Sequence, residues 1–215
     1  MSVPVDPASA PRAKAEPALY PVFLKLAGRS VLVVGGGPVA EGKLGALLAA
    51  GAQVTVVAPE VRPGIAAAPV QVQRREFRPS DLDGAWLVLA AAPPEVNRQV
   101  ESAAQERGVY VNAVDDPVHG SAYTGGVLRR GGVTIAVSTE GRAPALAGLL
   151  REALEAALPE DLSDWVATAA RLREEQKRAR VPMGERRPLL LDALNRLYAA
   201  RADERRAAGP KEASA

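Results

Sequence analysis

The chain has 215 residues, 47% of them apolar, and carries 27 Lys and Arg against 25 Asp and Glu for a formal charge of +2. That length fits one medium domain or a nucleotide-binding domain with a smaller companion, and the near balance of charge gives no general argument for a nucleic-acid partner. With no cysteine and a single histidine, His119, the composition excludes disulfides, thiolate nucleophiles and cysteine-ligated metal centres, and any metal must meet oxygen or that one imidazole.

In chain order, residues 1–18 are rich in Pro and Ala, lack the apolar core of a signal peptide and read as a flexible tail. No apolar run reaches the roughly 20 residues that cross a bilayer, so a cytoplasmic protein with no membrane contact is expected. Val31–Val34, Val54–Val57, Val70–Val72, Trp86–Ala90 and Val109–Val111 are short apolar or β-branched runs bounded by Gly, Pro or Asp, and they predict five strands. Between them, Leu44, Leu47 and Leu48 share one helical face before Gly51, and Val96, Val100 and Ala104 share another before Gly108. Strand and helix alternating in this way predict an α/β fold, a Rossmann-type doubly wound parallel sheet over residues 19–113. Beyond it, "GGVTIAVST" predicts a sixth strand, and three helical stretches follow, punctuated by Pro159 and Pro182. The expected organisation is a small dimerisation and active-site segment at 114–150, a C-terminal helical domain at 151–206 and a second flexible tail at 207–215.

The stretch "VLVVGGGPVAEGK" at 31–43 places Gly35-x-Gly37-x-x-Ala40 between a predicted strand and a predicted helix, the setting a dinucleotide fingerprint requires. Gly35 permits the tight turn, Gly37 lets a pyrophosphate approach the backbone, and Ala40 lets the helix pack closely on the strand. The plainer alternative is a structural turn in some other α/β protein. An acidic residue for the ribose is expected about 20 residues on, near Ala58; Glu60 stands two positions later and is either that acid or a solvated loop residue. Arg62 beside it can instead hold a 2′-phosphate, so the pattern leans to NAD rather than NADP.

Ligands of such sheets sit beyond the carboxyl ends of the strands. "VNAVDDPVHG" and "VSTEGRAPALAG" are expected to arrive there. Asp115 and Asp116 are adjacent carboxylates, one of which can hold a proton for acid–base work; the structural alternative is an Asp-Pro turn. Ser138 and Thr139 can bind a carboxylate through hydroxyls and amides, or simply cap the helix entered at Pro144. His119 is alone in a loop, which leaves a surface role or a metal contact open and gives Ser138 no triad partner.

Four stretches, "YPVFLKLAGRSVLVVGGGPVAEGK", "GAQVTVVAPE", "VNAVDDP" and "IAVSTEGRAPALAGLLREALEAALP", together resemble the siroheme-synthase dehydrogenase/chelatase family over about residues 19–160. Members of that family are precorrin-2 dehydrogenases, some of which are also sirohydrochlorin ferrochelatases. The resemblance implies NAD-dependent oxidation of precorrin-2 to sirohydrochlorin, with Fe2+ as a further substrate in bifunctional members and a homodimer as the assembly. It places the key carboxylate on Asp115 and the cofactor contacts on Gly35, Gly36, Gly37, Pro38, Val39, Ala40, Pro59 and Glu60. The tetrapyrrole substrate falls to Asn112, Ser138, Thr139 and Arg142, with Arg129 and Arg130 as further cations for its carboxylates. No resident metal is expected.

The chain departs from the family pattern at Gly42, where an arginine is usual before Lys43, at "AYTGG" (122–126), and in "STEGRAP", where Glu140 and Ala143 replace a glycine and a serine. The rival readings are a dinucleotide sensor with no turnover and a nucleic-acid binder using the basic helices between Arg171 and Arg206. Glu174, Glu175, Glu185, Asp192, Asp203 and Glu204 interrupt that basic face and argue against nucleic acid.

Overall fold

The structure, a computed structural model, describes residues 18–113 and 120–207, with side chains through residue 199. The terminal tails and Asp115, Asp116 and His119 lie outside the described residues. The chain divides into two units between Tyr123 and Thr124.

In the first unit, β1 (Ser30–Val34), β2 (Gln53–Val57), β3 (Gln71–Gln73), β4 (Leu87–Ala90) and β5 (Tyr110–Ala113) form one parallel sheet in the order β3-β2-β1-β4-β5. Val31 stands opposite Val54 on one side and Leu87 on the other. Successive side chains leave opposite faces of the sheet, and both faces are covered. Val31, Val33, Val54 and Val56 pack with Ala40 and Leu44 of α1 (Pro38–Ala49) and with Ile65 of α2 (Pro63–Ala67). Leu32, Val34, Val57, Val88 and Val111 pack with Val100 and Ala104 of α3 (Pro94–Arg107). Val33, Val56 and Val88 are wholly buried, and burial of each contributes about 1.5 kcal/mol or more. The predicted stops hold: Gly51 (φ +76°) follows α1, and Gly108 (φ +65°) is the left-handed cap of α3.

The second unit opens with a hairpin, β6 (Gly126–Arg130) and β7 (Val133–Val137), paired antiparallel through Gly131 and Gly132, whose φ values of +53° and +82° fit a tight two-residue turn. α4 (Pro144–Ala157), α5 (Leu162–Arg178) and α6 (Met183–Ala207) follow. The expected sixth strand is present as β7, paired with β6 in a hairpin and not in the parallel sheet. Its partner "GVLRR" escapes notice in the sequence because only Leu128 is buried along it and two arginines make it look like a loop. The first unit also reaches past residue 113, because residues 121 and 122 run hydrogen-bonded beside β5: the Ser121 hydroxyl accepts from Val111 N at 2.8 Å, and Ala122 N donates to Val111 O at 2.8 Å. Likewise the hairpin and the helices form one unit. The Arg130 guanidinium donates to the carbonyls of Glu155 (2.9 Å) and Leu158 (3.1 Å) at the end of α4, and a Cβ on Gly131 would meet Ser163 N at 2.5 Å. Pro188 lies inside α6, so one intrahelical donor is missing there. No helix among the described residues is long and apolar enough to cross a membrane.

Candidate functional site

In the first unit the strand order reverses at β1, which has β2 on one side and β4 on the other, and ligands of such sheets bind beyond the carboxyl ends at that point. The turn Gly35–Gly37 lies there, held from both sides: Gly35 N donates to Val57 O at 3.0 Å, and Ala91 N donates to Val34 O at 2.8 Å. Gly35 adopts φ +122°, and a Cβ on it would stand 2.1 Å from Ala91 O. Only glycine fits. Gly36 is equally constrained: a Cβ there would stand 1.9 Å from Glu60 O, and Gly36 O accepts from Arg62 N at 3.0 Å. The glycine turn and the loop after β2 therefore touch backbone to backbone.

Gly37 differs from both, for nothing lies within 4 Å of the position a Cβ would take. It is the N-cap of α1 and supplies no side-chain cap; Pro38 occupies the first helical position, where a missing N–H costs nothing. The first main-chain bond of the helix runs from Glu41 N to Gly37 O. The amides of Val39 and Ala40 precede it and receive no side-chain acceptor from the cap. Open space, uncapped amides and the positive end of a helix dipole together suit a phosphate group. Ala40 is wholly buried against the sheet, as its expected packing role requires, while Val39 is exposed.

Pro59 and Glu60 follow β2 and are exposed. Arg62, the alternative 2′-phosphate ligand, instead donates from Nε to Glu41 Oε2 at 2.7 Å. At the far side of the sheet Asn112 is buried, and its Nδ2 donates to Ala122 O at 2.9 Å; this ties the returning chain to β5. Ala113 and Gly120, which flank the aspartate segment, both lie at the carboxyl end of β5, since a Cβ on Gly120 would be 3.4 Å from Ala113 N. A cavity of about 700 Å³ opens between α3 and β5 and is lined by Arg98, Glu101, Tyr110, Val111 and Ser121. None of the glycine-turn residues lines it, so the dinucleotide's place rests on the backbone donors.

In the second unit, the hydroxyls at the start of α4 serve the turn. Ser138 Oγ accepts from Glu140 N at 3.1 Å and Thr139 Oγ1 accepts from Ala143 N at 3.2 Å. Each hydroxyl keeps its own proton to donate elsewhere. Glu140 takes a left-handed φ of +55°, and its carboxylate pairs with exposed Arg142. Arg129 is exposed, whereas Arg130 is engaged by the end of α4. The charges on the later helices also pair locally, as in Arg171 with Glu175 at 2.9 Å and Lys177 with Glu174 at 2.8 Å.

A bidentate ion pair follows the edge strand β3. Arg75 donates to both Asp81 oxygens, at 2.8 and 2.6 Å, and holds that carboxyl below the usual carboxylate range, helped by Arg78 N at 2.9 Å. Among the described residues no cluster of three or more His, Asp or Glu could hold a metal.

Residues 22–126 match the family model of NAD(P)-binding domains, and residues 130–157 match the model for the central part of the sirohaem biosynthesis protein. Siroheme synthase 3 of Aeromonas hydrophila is 45% identical over 172 residues, covering 78% of this chain and 37% of that one. The siroheme synthase of Photorhabdus laumondii is 42% identical over 184 residues, covering 83% and 39%. The chain thus spans well under half the length of these curated relatives. The solved structure of SirC, precorrin-2 dehydrogenase, superposes with a TM-score of 0.66 at 28% identity, over 81% of this chain and 88% of that chain.

Proposed function

Because the chain belongs to the family of siroheme-synthase N-terminal modules, we propose that it oxidises precorrin-2 to sirohydrochlorin with NAD as the hydride acceptor. The observation that carries this reading is the unobstructed, uncapped glycine turn at the switch point of the sheet. The amides of Gly37, Val39 and Ala40 hold the pyrophosphate, Gly35 and Gly36 shape the turn, Pro38 starts the helix, and Glu60 after Pro59 accepts from the ribose. Bound NAD supplies a hydride acceptor; the chain's own residues must place the tetrapyrrole and take the accompanying proton. Asp115 is the base in this reading, and the ties between β5 and residues 121 and 122 fix the ends of its segment.

Precorrin-2 carries many carboxylates. Ser138 and Thr139 retain hydroxyl protons for them, and Arg142 keeps donors beyond those engaged by Glu140. Asn112 acts through the segment it anchors. A homodimer in the cytoplasm is part of the same proposal. Mixing purified protein with precorrin-2 and NAD+ tests it: sirohydrochlorin absorbance should appear together with an equal amount of NADH. Cofactor binding without any spectral change of the tetrapyrrole would make the chain a sensor. Adding Fe2+ to the product and looking for siroheme above the rate without protein decides whether the chain also inserts metal, and Asp115→Asn assayed alongside tests whether that carboxylate serves it.

A further inference from the structure

We infer that Glu41 is a specificity-determining residue, which holds Arg62 away from the ribose and so makes the site select NAD over NADP; this rests on the dinucleotide reading above. A guanidinium just past the second strand is the usual way for such sites to accept a 2′-phosphate. Arg62 stands in that place by sequence, and its backbone is tied to the cofactor turn through Arg62 N and Gly36 O at 3.0 Å. Its side chain, however, is directed to the first turns of α1, where Nε meets Glu41 Oε2 at 2.7 Å.

The carboxylate that captures it has a built seat. A Cβ on Gly64 would stand 2.1 Å from Glu41 Oε1, so glycine at 64, two residues after Arg62, leaves the room that Glu41 occupies. Glu60, by contrast, has no ion-pair partner among the described residues. The end of β2 therefore offers one free carboxylate, suited to a ribose diol, and a guanidinium whose charge is already matched. A 2′-phosphate would meet Glu60's negative charge with no cation released to balance it. Glu41 is a positioning residue: it acts through Arg62.

The test is a set of calorimetric titrations of NAD+ and NADP+ into the full chain, its Glu41→Gln and Arg62→Ala variants and the double variant. An exposed pair of this kind is weak, so Glu41→Gln should tighten NADP+ by about 3- to 10-fold relative to NAD+. In the Arg62→Ala background the same substitution should change the ratio by less than about twofold. Gly64→Ala, whose methyl would displace the Glu41 carboxylate, should shift the ratio in the same direction by an independent route. An unchanged ratio in both Glu41→Gln and Gly64→Ala would overturn the inference, as would a gain that persists without Arg62. Failure of the unaltered chain to bind either dinucleotide would instead defeat the cofactor reading itself.

Discussion

The turns into α1 and α4 share a sequence grammar: an apolar strand, a glycine-containing turn and a proline at the first helical position. The turns themselves are built differently. Before α4, Ser138 and Thr139 accept the turn's own amides, and Glu140 is drawn into a left-handed conformation beside Arg142. Before α1 there is no side chain to do this. Gly35 and Gly36 are consumed by close backbone contacts, and Gly37 faces open space with uncapped amides behind it. Neither helix has a side-chain cap on its first-turn amides; the α1 entry differs in that its last turn residue, Gly37, carries no side chain and meets no neighbour, whereas hydroxyls and a Glu140–Arg142 pair fill the α4 turn.

The sharpest way to break this comparison is at Gly36. Gly36→Ala forces either the glycine turn or the Glu60 loop to move, and a clash of that size costs roughly 3 kcal/mol; a large drop in Tm with loss of NAD+ binding is expected by calorimetry, and a variant as stable as the parent would show the contact to be soft. Asp115→Asn probes the chemistry. Turnover of precorrin-2 should fall about 100-fold or more with NAD+ affinity retained, and full turnover would remove Asp115 from the mechanism.

Asp81→Asn tests the sheet edge behind the first turn. Its carboxyl is lowered in the folded chain, chiefly by Arg75, so it stabilises the fold above the ordinary carboxylate range and that contribution fades as pH falls through it. The variant should melt about 3–6 °C lower at neutral pH, with the gap closing below about pH 4. The smallest effect is expected at the second turn: Thr139→Ala, which removes one turn hydrogen bond, should cost about 1 kcal/mol, seen as a slightly lower Tm, with Thr139→Ser restoring it. A ligand-binding role for the hydroxyl would add a raised KM for the tetrapyrrole.

Much of the first unit is legible in the chain because its signals are local. Fully buried parallel strands read as continuous valine and leucine runs, and Gly51 and Gly108 mark helix ends through backbone conformations that other residues resist. The roles of Gly35 and Ala40 follow from spacing alone. What stays hidden is set by partners distant in sequence: the Glu60 carbonyl that requires Gly36 to be glycine, the Glu41 carboxylate that captures Arg62, and the α4 carbonyls that hold Arg130. β6 is hidden for another reason. A strand with one buried side chain carries almost no periodic signal, and the glycine pair that turns the hairpin looks like the edge of β7.

The central claim is that the backbone at Gly37 is kept open for a dinucleotide, and it is tested by titrating NAD+ into the parent chain and Gly37→Val while following Tm. A Cβ there has no protein atom within 4 Å, so the variant should lose at most about 1 kcal/mol, the cost of a poorer N-cap residue, yet bind NAD+ at least about tenfold more weakly. Equal affinity in the two proteins would contradict the account.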